Sequence, residues 1–177
     1  MTLPKYCVVD TNVPIAANRK HPFDGADEVE KEKWILACVE AIEHVCTKDA
    51  LVLDEGDEIF TEYQRHLSLS GQPEVGDMFI KWVHDNRGRL PTARITKNGD
   101  SYDEFPEHEE LKNFDPSDRK FVALANVHPK KPSILEATDS KWWHWKDALK
   151  EKGIDLRFLC QEYIERIYNA KFPQNKK

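Results

Sequence analysis

The chain has 177 residues, 40% of them hydrophobic and 33% charged, with a net charge of −6. That length suits one domain with a real core of its own, and the acidic balance argues against a protein that coats nucleic acid through bulk positive charge. No apolar stretch approaches membrane-spanning length and the first residues lack the basic and apolar regions of a signal peptide, so a soluble, cytoplasmic protein with no membrane partner is expected.

The four cysteines, Cys7, Cys38, Cys46 and Cys160, contain no Cys-x-x-Cys pair, which suggests neither a disulfide framework nor a zinc site. They are expected to be mostly small core residues. The seven histidines show no ligand spacing, and His108 falls within an acidic run that reads as solvated surface.

Taken in order, the chain opens with Tyr6-Cys7-Val8-Val9-Asp10-Thr11-Asn12-Val13, a short apolar, β-branched run that stops at a carboxylate. Such a run predicts a buried strand, and in open parallel sheets ligands sit beyond the carboxyl ends of strands. Asp10 therefore either caps a helix starting at Asn12 or Val13, or begins a site. Residues 27–48 carry Trp34, Ile35, Cys38, Val39, Ile42 and Val45 at three- and four-residue steps, the stripe of a core-facing helix. A second apolar run, Ala50 to Asp54, follows directly and implies a parallel pair with a crossover.

The segment Glu55 to Tyr63 predicts a helix with Glu55, Glu58 and Glu62 on roughly one face. Glu58 suits the positive end of that helix; Glu62 lies past the first turn, beside the core-type Ile59 and Tyr63, and is a candidate ligand. After Gly71 and Pro73 a helix is expected over 74–86. Leu90 to Thr96 reads as a strand or extended edge, and Lys97 to Pro106 as a polar loop with an Asn98-Gly99 turn.

Asp115-Pro116-Ser117-Asp118 reads as a helix start, with Asp115 as N-cap, Pro116 first and Asp118 third. Capping would account for both acids, and Asp118 is also open to a site role. A third strand is expected from Ser133 to Ala137, in a run ending Glu136-Ala137-Thr138-Asp139. A helix from about Ser140 to Lys152 stopped by Gly153, a strand Ile154 to Leu159, a helix from Gln161 to about Ala170 and a basic, frayed tail at Lys171 to Lys177 complete the domain. Of Trp142, Trp143 and Trp145, at least one is expected in the core. Basic residues such as Arg87, Arg89, Arg94, Lys97, Arg119 and Lys120 are available to face phosphates, although each alone reads as solvated surface.

Acids thus recur at strand ends: Asp10, Asp54 and Asp139. If the strands are parallel neighbours, the carboxylates converge on one sheet edge, where like charges repel unless cations neutralise them. Such a cluster predicts a metal site.

An apolar strand ending Asp10-Thr11-Asn12, a helix with Ile59-x-x-Glu62-Tyr63, a helix opening Asp115-x-x-Asp118-x-x-Phe121-Val122-Ala123-x-Ala125, and a strand ending at Asp139 together resemble the PIN-domain nucleases. The resemblance covers essentially residues 1–170. It implies an α/β fold, a three-layer α/β/α sandwich around a mainly parallel sheet. It also implies metal-dependent cleavage of phosphodiester bonds, of RNA more often than DNA, with Mg²⁺ or Mn²⁺ held by Asp10, Glu62, Asp118 and Asp139. Thr11 or Asn12 would orient the first carboxylate, and Asp115 would support the site. The chain departs from the family's commonest pattern at Lys141, where many relatives carry a further acid, and at Ala137, where Thr is frequent.

Small free-standing members resemble the toxins of toxin–antitoxin pairs, usually homodimeric and held by an antitoxin protein, and the extra length here is expected within residues 71–106. Aspartyl-phosphate chemistry of the haloacid-dehalogenase kind would need a second Asp where Asn12 stands, and a receiver domain would need an acid pair near the first strand. The non-enzymatic alternative is a PIN-like scaffold that binds RNA or a protein with little cleavage.

Overall fold

A computed structural model describes residues 2–173, and the end of the basic tail, residues 174–177, lies outside them. The described chain is α/β. β1 (Cys7–Val9), β6 (Ser133–Glu136) and β7 (Leu156–Phe158) form one parallel ladder, and β2 (Leu53–Asp54) and β3 (Thr92–Ala93) form another. Cys7 ties the two together: its N–H donates to the Ala50 carbonyl at 2.7 Å and its carbonyl accepts from Val52 N–H at 2.8 Å. The resulting order is β3-β2-β1-β6-β7, with every pairing parallel. A short antiparallel hairpin, β4 (Lys97–Asn98) and β5 (Ser101–Tyr102), stands apart.

The helices follow from local signals. α1 (Asn12–Ala17) leaves the end of β1 at once. α2 (Glu28–Thr47) begins with a reciprocal cap in which Glu30 N–H donates to Asp27 and Asp27 N–H donates to Glu30. Its Trp34, Ile35, Cys38, Ile42 and Val45 are buried as their spacing predicts. α4 (Val75–Asn86) has the same device in Glu74 and Asp77. α6 (Lys141–Glu151) ends at Gly153, whose φ of 74° suits a residue without a Cβ, and α7 (Gln161–Lys171) closes the described chain. Lys171, expected in the frayed tail, is the last residue of that helix.

Two helices begin later than their sequences suggest. α3 (Glu58–His66) starts three residues after Glu55, because Asp57 takes a left-handed φ of 58° and the Asp54 carboxylate accepts from Glu58 N–H at 2.8 Å and Ile59 N–H at 2.9 Å. Glu55 is therefore off the helix and does not share a face with Glu58 and Glu62. α5 (Arg119–Val127) starts after a turn over residues 116–118, with Asp118 rather than Asp115 at its N-cap position.

α5 packs on β1 and β6, and α1 packs on α2, α4 and β6. Residues 71–106, the expected extra length, form α4, β3 and the hairpin, where Lys97 to Pro106 was expected to be a loop. Trp142 is fully buried and Trp145 nearly so, while Trp143 packs against Phe158 from a half-buried position, so these rings serve the core. Cys7, Cys38 and Cys160 are buried and all four cysteines are free. Among the described residues no helix is long and apolar enough to cross a membrane.

The approach of α4 to α1 depends on Gly76. Its N–H donates to Asn18 Oδ1 at 2.5 Å, and a Cβ there would collide with the Pro14 carbonyl and lie 2.9 Å from Asn18 Oδ1. Backbone cannot yield as a flexible side-chain end can. Gly76→Ala is expected to cost about 1–3 kcal/mol, the range for overpacking, read from denaturant midpoints. An unchanged midpoint would show that the two helices are free to move apart.

Candidate active site

The β1–β6 register sets Val9 against Leu135, so the next residues, Asp10 and Glu136, fall side by side at the carboxyl ends of adjacent strands. Asp10 N–H donates to the Leu135 carbonyl at 3.0 Å, which fixes that step. Both side chains are buried, Asp10 at 2% exposure and Glu136 at none. Asp10 Oδ1 accepts from Asn12 N–H at 2.8 Å. Glu136 Oε1 accepts from Thr138 N–H at 2.9 Å and Asp139 N–H at 2.8 Å, and among the described residues no donor reaches its Oε2.

The two carboxyls lie close enough to share a proton. Burial pushes Asp10 up to about 6, against the opposing pull of the Asn12 N–H. Burial and then the neighbouring Asp10 charge hold Glu136 well above the usual carboxylate range. Two buried carboxyls in contact require either that proton or a cation between them.

The other acids gather around this pair. Asp118, at the start of α5, is pushed up to about 8, first by burial and then by the charges of Asp10, Asp115, Asp139 and Glu62. Asp139 follows β6; its Oδ1 accepts from Lys141 N–H at 2.9 Å. Glu62 projects from α3, with Oε1 accepting from the buried Thr11 hydroxyl at 2.9 Å and Oε2 paired with the Lys120 ammonium. Tyr63 anchors α3 to the strand end, its hydroxyl donating to the Val9 carbonyl at 2.5 Å.

Asp118 thus lies within electrostatic reach of Asp10, Glu62 and Asp139, and Asp10 within reach of Glu62 and Asp139. Among the described residues no three His, Cys, Asp or Glu side chains stand as a ready-made ligand group for an ion. The acids are instead held by backbone N–H groups, the Thr11 hydroxyl and Lys120.

The supporting residues divide differently from expectation. Thr11 positions Glu62, and Asn12 orients Asp10 through its backbone N–H. Asp115 accepts from Ser117 N–H at 3.1 Å and pairs with Lys141 Nζ at 3.0 Å, which holds its carboxyl below the usual range. Asp54, expected among the converging acids, spends both oxygens on the start of α3. Lys120, counted among residues free to face phosphates, is buried against Glu62. Arg87 and Arg89 pair with Asp57 and Asp49.

Glu136 is the acid that the sequence reading missed. It stands where the apolar run Ser133-Ile134-Leu135 stops, the same signal that marks Asp10. β6 ends at Glu136, one residue before the expected Ala137, so Glu136 rather than Asp139 stands at the strand end. A groove of about 290 Å³ adjoins the cluster, lined by Glu62, Arg65, Lys97, Tyr102, Ser117 and Lys120 among others, so the hairpin borders the site.

The raised carboxyls give the metal-free protein a definite pH dependence. Between about pH 6.5, the ordinary histidine value, and about pH 8 the native state holds a proton on Asp118 that the unfolded chain, with ordinary carboxylates, has released, and the raised Glu136 acts in the same sense. Stability then falls as pH rises. Melting temperature in EDTA should drop across that window, above the range in which the lowered His21 and His128 act in the opposite sense. A rising melting temperature would show that the carboxyls are not held protonated.

Comparison with known proteins found no matching family model, no matching curated protein and no matching solved structure.

Proposed function

We propose that this chain is a metal-dependent nuclease of the PIN kind, an endoribonuclease acting on single-stranded or structured RNA. The observation that carries the proposal is the buried Asp10–Glu136 carboxyl pair at the carboxyl edge of a parallel sheet, with Glu136 Oε2 lacking any donor and Asp118 and Asp139 beside it. A parallel β3-β2-β1-β6-β7 order with interleaved helices supports the three-layer α/β/α arrangement of that family.

An all-oxygen donor set suits Mg²⁺ or Mn²⁺, and Asp10, Glu136, Asp118 and Asp139 are the residues that would hold it. Such an ion, when bound, lowers the pKa of water and stabilises charge on phosphate oxygens. The chain's own contribution is to aim and dry the ligands. Asn12 N–H fixes the Asp10 carboxylate, and the Thr138 and Asp139 N–H groups fix Glu136. Asp118, half-exposed at the start of α5, is the acid best placed to orient an attacking water, and Arg65 and Lys97 border the groove along which a phosphate backbone would lie. Glu136 supplies the carboxylate that Lys141 denies the chain two residues after Asp139.

A role as a cytoplasmic toxin or defence component, homodimeric and paired with an antitoxin-like protein, belongs to the same proposal. The second reading, a PIN-like scaffold that binds RNA or protein without cutting, is favoured by one feature: both Glu62 oxygens are already engaged by Thr11 and Lys120.

The test is incubation of labelled single-stranded RNA, hairpin RNA and single-stranded DNA with the protein in Mg²⁺, Mn²⁺ or EDTA. Metal-dependent cutting of RNA in preference to DNA is expected. Retention of RNA without cutting in any metal would favour the scaffold, and cutting that persists in EDTA would remove the metal from the reading.

A further inference from the structure

Lys120 is the feature that the proposed function leaves unexplained. Lysines on an α/β surface normally reach into water, and burying an ammonium is costly unless it is paired. Here the side chain is 9% exposed, and the ammonium sits between Glu62 Oε2 and the Ser117 carbonyl. Glu62 is itself only 17% exposed, and its other oxygen is taken by the Thr11 hydroxyl. Asp118, two residues before Lys120, and Asp10, one residue before Thr11, tie this pair to the carboxyl cluster, and both feel the Glu62 charge.

Two-ion hydrolytic sites hold their ions roughly 3.5–4 Å apart, bridged by shared carboxylates. A second ion in this cluster would have to draw on Glu62, the acid on the α3 side. That carboxylate already has a cation, carried on a side chain that cannot leave without vacating a buried position. The Asp10–Glu136 edge, by contrast, has no ammonium against it, and no donor among the described residues reaches Glu136 Oε2.

Resting on the metal-dependent reading above, we infer that the Lys120 ammonium is a built-in substitute for a second divalent ion, so that the cluster takes one ion, at Asp10 and Glu136, and Glu62 is not a ligand. Lys120 is then a positioning residue. It fixes Glu62 and Ser117, and it presents a permanent positive charge on the groove side of the site, where phosphate oxygens would come.

The experiment is calorimetric titration of Mn²⁺ into metal-stripped protein at pH 8, with folding of every variant checked by circular dichroism. Wild type should bind one ion. Lys120→Met, which frees Glu62, should bind two, and Lys120→Arg, which keeps the charge, should bind one. Glu62→Gln should still bind one ion with less than a tenfold loss of affinity, below the roughly 10–100-fold seen for direct partners of a ligand, because Glu62 bonds to Thr11 and Lys120 and not to Asp10 or Glu136.

Two ions on wild type, one ion on a folded Lys120→Met, or a loss of more than tenfold in Glu62→Gln would overturn the inference while leaving the nuclease reading in place. No ion on wild type would remove the metal reading itself. If Lys120→Met does not fold, the wild-type count and Glu62→Gln decide the matter.

Discussion

Asp10→Asn is expected to lower cleavage at least about 100-fold while raising the melting temperature of the metal-free protein. The loss follows from removing a charged oxygen ligand at the centre of the cluster, which should cost more than the 10–100-fold typical of a partner one shell further out. The gain follows from the carboxyl's own environment. Burial pushes Asp10 up to about 6, so near pH 8 the folded state carries a charge that it holds poorly. Asparagine removes that charge with almost no change of volume. Its oxygen can still accept from Asn12 N–H, and its amide can donate to Glu136.

A shift of this size corresponds to a gain on the order of 1–3 kcal/mol. At roughly 2–4 °C per kcal/mol for a chain of this length, the change is readily measured. Thermal melts in EDTA and in Mn²⁺ separate the two effects: wild type should gain stability from Mn²⁺, and the variant should not. A metal-free Asp10→Asn that melts lower than wild type would count against the crowded carboxyl cluster, and retained turnover would count against the site.

Glu136→Gln should behave in the same way, and it tests the residue that the family pattern does not point to. Glutamine keeps the oxygen that accepts from Thr138 and Asp139 N–H. It replaces the shared proton with an amide that can donate to Asp10 permanently. The fold is therefore expected to survive, with a higher melting temperature in EDTA above pH 7. Mn²⁺ affinity should fall by at least about 10–100-fold, because the donor-free Oε2 is lost to the metal. Wild-type affinity in Glu136→Gln would move the ion away from the β1–β6 edge and make Glu136 a structural acid, protonated for good.

Most of the secondary structure was legible because its signals are local. The α2 stripe, the reciprocal caps of α2 and α4 and the stop at Gly153 each depend on residues within one or two turns of chain. So do the apolar runs that became β1 and β6. The errors arise where a side chain answers to a distant or competing partner. Asp54 ends an apolar run just as Asp10 does, yet Gly56 and the left-handed Asp57 bend the chain so that Asp54 meets the first N–H groups of α3.

Lys120 reads as a surface lysine because nothing nearby in sequence announces Glu62, which is on another helix. The pairing of Asp10 with Glu136 depends on the Val9–Leu135 register, a tertiary fact. Only the acid at the end of each run is visible in the sequence, and where the run from Ser133 stops decides between Glu136 and Asp139. Asp118, open in sequence to a helix-start or a site role, stands at the N-cap position without capping and is raised by burial and by the neighbouring acids.

The most direct measurement is cleavage of a labelled circular single-stranded RNA by wild-type protein, first stripped with EDTA and then supplied with Mn²⁺, beside Asp10→Asn purified identically. A circle has no ends, so its conversion to a line requires an internal cut. A metal-dependent nuclease seated on the Asp10–Glu136 pair predicts linear RNA from wild type only after Mn²⁺ is restored, and none from the variant. Linear RNA from both proteins, or from the EDTA-treated wild type, would contradict it.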